Sequence, residues 1–371
     1  MGAGLPGSGD MQMLFLQSAI DKMDDNFGRA AIVENGSPLF SGGTASGESQ
    51  IRRWMLEKDL IEAIIALPTD LFYNTGITTY IWVLSKNKRA ERKGKIQLID
   101  ASGISHRLRK ALGDKKNEIS PEDRTAITKL YANFEENEYC KIYDNTEFIY
   151  REYVVMQPLQ RSYAINRNCI DAMLSKGSLS NIYDQAKIDE WENAEELSGK
   201  DIKKLEAMRN NKPLYDSILE ALEAAVSDEI YFSPSTFTPV LTKALAAVTA
   251  DKKIITRIMD GLSVMDKSAE VQKDKKGNII YDKETKDTEL VKFDESIEEY
   301  MEREVLPYIP DAQWFFEEKL DVKKPVIKTG AEIPFTRYFY KYQAPTPSEE
   351  LEQRVAELEN VVSARISKLF S

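Results

Sequence analysis

Between Leu60 and Leu84 the chain reads LIEAIIALPTDLFYNTGITTYIWVL, and this stretch limits the fold more than any other. Ile61 to Leu67 is an apolar run, stopped by Pro68 and the polar turn Thr69-Asp70. Ile77 to Leu84 is a second run, rich in β-branched and aromatic residues. Two such runs bounded by turn residues predict two strands. The segment between them, Leu71-Phe72-Tyr73-Asn74-Thr75-Gly76, carries two aromatics, an amide, a hydroxyl and a glycine. Loops at strand ends are where α/β proteins place ligand-contacting groups. The plain alternative is a strand pair in a core whose aromatic loop is incidental.

The surrounding segments extend this unit. Met11 to Met23 has helical periodicity, with Met13, Leu14, Leu16, Ile20 and Met23 on an apolar face. Gly28-Arg29 leads into Ala30-Ala31-Ile32-Val33, read as a short buried strand that ends at Asn35-Gly36. Ser37-Pro38-Leu39-Phe40 reads as a turn after that strand, and Ser41 to Gly47 as a flexible loop. A helix is predicted from Glu48 to Lys58, with Ile51, Trp54 and Met55 facing inward and Arg52 and Arg53 elsewhere. Ile96 to Asp100 is a further strand. Helix, strand, helix, strand, strand is the order of the second half of a doubly wound α/β sheet.

At 371 residues the chain is long enough for two or three domains. The reading divides it into an α/β part over 1–165, a mainly helical region over 166–343, and a proline spacer with a helix over 344–371. No apolar run approaches the roughly 20 residues of a membrane span, and no secretory signal pattern opens the chain. Cys140 and Cys169 have no metal-ligand spacing, and nothing in the sequence supports a disulfide between them. The expected location is a reducing cytoplasm without membrane attachment. A net charge of -11 argues against DNA as sole partner unless basic residues are gathered locally. One such gathering is KNKRAERKGK, where Lys86, Lys88, Arg89, Arg92, Lys93 and Lys95 face a single acid, Glu91. It reads either as a phosphate-contacting loop or as a solvated basic loop between strands.

Chemistry is sparse. The one histidine, His106, lies in a polar segment and reads as solvated. Gly2, Gly4 and Gly7 spell G-x-G-x-x-G, but no strand can precede them and Pro6 interrupts the turn, so a dinucleotide site is rejected. Neither a Walker loop nor a metal cluster occurs. Pro121 marks a helix start, and a strand is expected around Tyr150 to Val155. Residues 168–250 read as helical, with polar linkers at Lys176-Gly177 and from Asn210 to Pro213. Ile254 to Met265 is an amphipathic helix, Lys273 to Ile280 a hairpin, Ile297 to Leu306 a short helix, and Ala331 to Tyr342 an aromatic, extended segment. Ser348 to Leu369 carries Leu351, Val355, Leu358, Val362, Ile366 and Leu369, spaced 4, 3, 4, 4 and 3 apart. That stripe fits a partner seam or a core face. Ala344-Pro345-Thr346-Pro347 makes a stiff spacer before it, and Ser348 is the expected N-cap.

The long string from GRAAIVENGSPLF through TTYIWVLSK, continued by GKIQLIDAS and KIYDNTEFIYREYVVMQPL, resembles the later part of the methylase domain in modification subunits of type I restriction-modification systems. The likeness resumes at KDTELVKFDESIEEYMEREVLPYIPDA and EIPFTRYFYKY, with Gln313-Trp314-Phe315-Phe316 as a departure. Such subunits are adenine-N6 DNA methyltransferases. The resemblance implies S-adenosylmethionine as cofactor, DNA as substrate, and specificity and restriction subunits as partners. It also implies a glycine-rich cofactor turn and an Asn/Asp-Pro-Pro-aromatic tetrapeptide, neither of which the sequence contains. The chain is therefore expected to be a C-terminal portion of such a subunit, inactive alone, with no catalytic residue or metal ligand of its own. By the same resemblance Phe72 packs on the flipped base, and Asn74, Thr75, Asn35 and Gly36 complete the half-pocket. Otherwise Phe72 is a core aromatic capping the strand turn. The competing functional reading is a non-catalytic module that binds DNA or a specificity subunit.

Overall fold

In the computed structural model the described residues are 4–194, 196–249, 251–320, 322–342 and 344–369, with side chains described to residue 366. They gather into two units: Met1–Glu152 with Leu290–Glu295 and Glu317–Ser371, and Tyr153–Glu289 with Ser296–Phe316. This differs from the division at 165 and 343. The late chain returns to the first unit because Thr329–Ala331 pairs with Ile149–Arg151, and Ala331, Ile333 and Phe335 are buried in that unit's core.

The first unit opens with helix α1 (Gln12–Lys22), strand β1 (Arg29–Glu34), the one-turn helix α2 (Ser37–Phe40) and helix α3 (Gly47–Glu57). Strands β2 (Ile61–Ala66), β3 (Tyr80–Ser85) and β4 (Lys95–Asp100) follow. Then come β5 (His106–Leu112), β6 (Lys115–Glu118), helix α4 (Pro121–Asn133) and β7 (Cys140–Asp144). The sheet order is β1-β3-β2-β4-β7. β2 is buried along its whole length, as a central strand covered on both faces must be. Its side chains alternate: Ile64 and Ala66 join Trp82, Leu98 and the α1 and α3 residues Leu16, Ile51 and Met55, while Ile65 joins Ile99, Cys140 and Ile127 of α4. Each fully buried Leu or Ile contributes roughly 1.5–3 kcal/mol. Helices thus cover both faces of a mixed sheet. β2 and β4 are parallel; β3 is antiparallel to both β1 and β2, and β7 is antiparallel to β4.

Several expectations change. β1 is not buried but lies at the sheet edge with alternating exposure. Ser37 to Phe40 forms a helical turn with Pro38 in its first turn, where proline's missing N–H costs nothing. Arg52 points inward and is fully buried, because its guanidinium meets the carbonyls of Ala331 (2.8 Å), Pro38 (3.0 Å) and Ser41 (2.7 Å). The polar residues from His106 to Glu118 form a hairpin, β5–β6. Ser120 caps α4 in a reciprocal capping box with Asp123. Phe335–Phe339 is a short helix, not an extended segment, and Ser348 is the first residue of the terminal helix Ser348–Leu369, one place inside its expected cap. Both cysteines are free and buried.

The second unit is mainly helical. Its core gathers Ile170, Met173, Ile218, Leu222, Phe237, Leu241 and Ile258. Helix Gly199–Ala224 runs through Pro213, so Asn210 to Pro213 is no linker. Burial of Leu205 and Met208 before the proline and Ile218 and Leu222 after it keeps the helix continuous. Gly261 ends helix Lys252–Gly261 where a Cβ would lie 2.4 Å from Met173, and Ser263–Met265 pairs as a strand with Arg161–Tyr163.

Candidate functional site

One row of registered residues marks an end of the first unit's sheet. Glu34 faces Tyr80, Tyr80 faces Ala66, and Ala66 faces Asp100. This is where β1, β2 and β4 finish and β3 begins, the side on which α/β sheets bind ligands. A cleft of ≈ 250 Å³ opens there, lined by Thr78, Tyr80, Asp100, Ser102, Phe335 and Phe339. Tyr80 meets Phe335 edge-on at 5.3 Å, and Phe335 stacks on Phe339 at 5.0 Å. Burial, and then the charge of Asp100, push the Tyr80 phenol above its usual range. A larger hollow of ≈ 430 Å³, lined by Gln17, Trp54, Lys58 and Lys86 among others, lies by the start of β2, away from the strand ends that favour ligands.

Asn35 and Gly36 follow β1 at the same end as the smaller cleft. The Asn35 amide oxygen accepts from the Ser37 N–H (2.8 Å) and hydroxyl (2.7 Å), and its own N–H donates to Gln12 (2.8 Å). Gly36 lies against the Tyr80 ring, where a Cβ would stand 3.4 Å from it. Glu34 is buried, and burial, helped by the Asp10 charge, pushes its carboxyl up to about 7. Against the effect of burial, hydrogen bonds from Ser37 and Gln12 hold Asp10 below the ordinary carboxylate value.

Phe72, Asn74 and Thr75 sit on the loop after β2. Leu67 N–H donates to the Thr79 carbonyl (2.8 Å), closing the loop's base. Asp70 takes a left-handed φ of 57°, and Phe72 pairs with Thr75 across the tip. Phe72 is 37% exposed and joins no core cluster, so it does not cap the strand turn as a core aromatic. Among the described residues no hydrogen bond or ring contact joins Phe72, Asn74 and Thr75 to Asn35 and Gly36. The five residues expected to form a half-pocket are therefore two separate groups at one end of the sheet.

The basic segment turns partly inward. Lys88 is buried and its ammonium meets Asp59 (2.5 Å) and the Lys95 carbonyl (2.7 Å). Burial draws it below the usual lysine value, against the pull of Asp59. Arg92 is also buried: it pairs with Glu62 (3.6 Å), donates to Gln97 (2.8 Å) and the Tyr131 carbonyl, and lies over the rings of Tyr131 (4.6 Å) and Phe134 (4.3 Å). Lys86 reaches Asp25 (2.6 Å) and the Met23 carbonyl (2.8 Å). Only Arg89, Lys93 and Lys95 of the six face solvent. Lys88 and Arg92 are thus corrected from phosphate contacts to interior ties, since a charge already paired indoors has nothing to offer a backbone phosphate.

His106 is also not free: its Nδ1 lies 2.7 Å from an Asp123 carboxylate oxygen. Among the described residues no cluster of His, Cys, Asp or Glu could hold a metal ion, and no helix is long and apolar enough to cross a membrane. Sequence reasoning missed Tyr80, Asp100, Phe335 and Phe339. The first two stand at the boundaries of strands already read, and the spacing of four between the phenylalanines is a helical signal that the neighbouring Pro334 and aromatics obscured.

Residues 2–164 match the family described as N-6 DNA Methylase. The chain is 40% identical over 128 residues to the type I restriction enzyme MjaVIII methylase subunit of Methanocaldococcus jannaschii, covering 34% of this chain and 21% of that protein. It is 35% identical over 111 residues to the type I restriction enzyme HindI methylase subunit of Haemophilus influenzae, covering 30% of this chain and 24% of that one. A solved type I restriction-modification system methyltransferase subunit from Streptococcus thermophilus is similar at 26% identity with a TM-score of 0.34, over 38% of this chain and 28% of that one. The match spans less than a quarter of the length of either methylase subunit.

Proposed function

We infer, from the N-6 DNA methylase match over residues 2–164, that this chain works within a type I modification system. The activity is adenine-N6 methylation of DNA from S-adenosylmethionine, in the cytoplasm, in a complex with specificity and restriction subunits. The observation that carries this reading is the 40% identity to a methylase subunit across 128 residues. The end of the sheet where Asn35, Gly36, Tyr80 and Asp100 collect supports it, as does the aromatic loop beside β2.

In this reading the chain supplies the later part of a doubly wound methylase sheet. Its described residues do not fit the cofactor. No run of glycines joins a strand to a helix among them, and the cleft of ≈ 250 Å³ at the strand ends is smaller than the roughly 300 Å³ at which small-molecule sites begin. No Asn/Asp-Pro-Pro-aromatic tetrapeptide occurs in the sequence. No methyl-transfer step is assigned to this chain's residues. Its part is to receive the target. A flipped adenine leaves its stack, and the half-exposed Phe72 ring offers a face worth about 1–3 kcal/mol of stacking. Asn74 and Thr75 place an amide and a hydroxyl beside it, and Arg89, Lys93 and Lys95 remain for phosphates.

Transfer of labelled methyl groups from S-adenosylmethionine to DNA tests the reading. The chain alone is expected to transfer none. Mixed with a specificity subunit and a polypeptide that carries the cofactor turn and the tetrapeptide, it is expected to support transfer that Phe72→Ala lowers tenfold or more, about 1.4 kcal/mol. Transfer by the chain alone defeats the assignment of inactivity. DNA or subunit binding with no transfer in any mixture favours the non-catalytic module, which the exposed stripe of the terminal helix also fits.

A further inference from the structure

The hairpin β5–β6 stands outside the five-stranded sheet, and among the described residues its two strands pair with each other alone. We propose that it is a DNA-phosphate-binding ribbon which sets the position of the duplex relative to Phe72; this rests on the methylase reading above.

Three observations carry it. First, charge is concentrated there. Residues 106–118 hold five cations, Arg107, Arg109, Lys110, Lys115 and Lys116, against two acids, Asp114 and Glu118, in a chain of net charge -11. Arg107, Arg109 and Lys110 are exposed, and among the described residues none of the three side chains has an ion pair or hydrogen bond. Like charges gathered on one ribbon repel unless an anion meets them.

Second, the ribbon is fixed at both ends. At its tip the Asp114 N–H donates to the Tyr73 carbonyl (3.0 Å), and along β6 the Lys116 and Asn117 N–H groups donate to the Asp70 carbonyl (2.9 and 3.1 Å). The Asn117 amide adds a bond to the Thr69 carbonyl (3.0 Å), and Lys116 pairs with Asp70 (3.3 Å). Gly113 turns with φ 65°, and a Cβ there would lie 2.4 Å from the Tyr73 carbonyl oxygen. At the open end His106 meets Asp123 of the α4 cap at 2.7 Å. Cations on a braced element lose less freedom on binding than cations on a mobile loop.

Third, what the hairpin grips is the aromatic loop itself. Its bonds fall on Thr69, Asp70 and Tyr73, the residues flanking Phe72. A phosphate held by Arg107, Arg109 or Lys110 is therefore registered against the ring. Phosphate contacts of this kind position a duplex without reading its sequence, and a two-stranded ribbon is narrow enough for a major groove about 12 Å wide. Tyr73 and Leu112, 65% and 50% exposed, give the same surface an apolar edge for sugars.

The test is binding of the full chain to a fluorescent DNA duplex across a salt series, followed by anisotropy. Each lost phosphate contact lowers the log-log salt slope by about 0.9. The triple variant Arg107→Ala/Arg109→Ala/Lys110→Ala is expected to lower the slope by about 2.7 and the affinity at low salt about tenfold or more. A control of equal charge change, Lys273→Ala/Lys275→Ala/Lys276→Ala on an exposed turn of the second unit, is expected to leave the slope within one contact of the parent. Arg109→Glu, a single reversal with its melting temperature recorded, guards against a triple variant that fails to fold. Parent-like slopes for both hairpin variants, or an equal loss in the control, overturn the ribbon while leaving the methylase reading intact. A parent chain that binds no duplex even at low salt overturns the proposal; methyl transfer in the reconstituted mixture then reports separately on the methylase reading.

Discussion

Two basic segments of the first unit, Lys86 to Lys95 and His106 to Glu118, look alike in the sequence and end in opposite places. The first has six cations against one acid, the second five against two. In the first, Lys88 and Arg92 are buried; in the second, Arg107, Arg109 and Lys110 face solvent. The difference lies in the acids each segment meets. Asp59 and the buried Glu62 stand at the start of β2, beside the turn from β3 to β4. A long side chain that reaches a buried carboxylate trades its hydration for a short ion pair and hydrogen bonds, and Arg92 adds two aromatic rings. The hairpin meets Asp70 and Asp123, which engage Lys116 and His106, while Arg107, Arg109 and Lys110 have no ion pair among the described residues. Charge density along a chain thus says little about destination until the opposing strand is known.

The comparison breaks most sharply at Arg92. Arg92→Ala removes one partner of a buried pair, leaves Glu62 with Arg29 (3.1 Å) as its remaining cation, and is expected to cost about 3 kcal/mol of stability, the low end for such a loss, read as a lower urea midpoint. A cost below 1 kcal/mol would return the first segment to the surface. The hairpin triple variant is expected to change stability by no more than about 0.5 kcal/mol, since it leaves no buried group behind.

Glu34 sharpens the same contrast from the acidic side, as a buried carboxylate with no ion pair among the described residues. Its carboxyl is pushed from the ordinary 4.5 up to about 7 by burial and the Asp10 charge. Between those values the folded chain keeps a proton that the unfolded chain has released. Stability is therefore greatest below pH 4.5 as far as this group is concerned, and is lost as pH rises through about 7. Glu34→Gln is expected to flatten that fall and to exceed the parent at pH 8 by about 2 kcal/mol. Parallel stability curves for the two chains from pH 5 to pH 8 would show that Glu34 ionises normally.

The sheet was legible where burial leaves a periodic trace. The two apolar runs became β2 and β3, IQLID became β4, and α1 and α3 fell where their apolar stripes placed them, though not the helical turn α2. The site was less legible because its parts come from far apart in the chain. Phe72 could be singled out from a loop composition, but Tyr80, Asp100 and Phe335 become one cleft only after strand pairing and the return of the late chain. The burial of Arg52 was not legible because its guanidinium donates to three backbone carbonyls rather than to an acid, which leaves no charge partner to find in the sequence. The hairpin was missed for a related reason. No residue of its strands is buried, so no hydrophobic alternation marks them.

The smallest effect on folding is expected at the terminal helix, where the stripe is outward as the hairpin cations are. Leu351, Val355, Leu358, Val362 and Ile366 are between 48% and 64% exposed, which contradicts a core face for them; the side chain of Leu369 lies outside the described residues. Spacings of three and four keep these side chains on one side of the helix, the geometry of a seam for another helix. Glu349 and Glu350 in the first turn favour the helix through its dipole, and the stripe contributes no burial within this chain. Leu358→Asp/Val362→Asp should therefore leave the melting temperature and circular dichroism of the chain unchanged, within about 0.5 kcal/mol. The same variant should abolish co-purification with the specificity subunit of a type I system, because two carboxylates at the centre of a helix seam would be desolvated without partners. A variant that melts early would mean the stripe is packed in this chain. One that melts normally and still co-purifies would mean that the partner reads another surface.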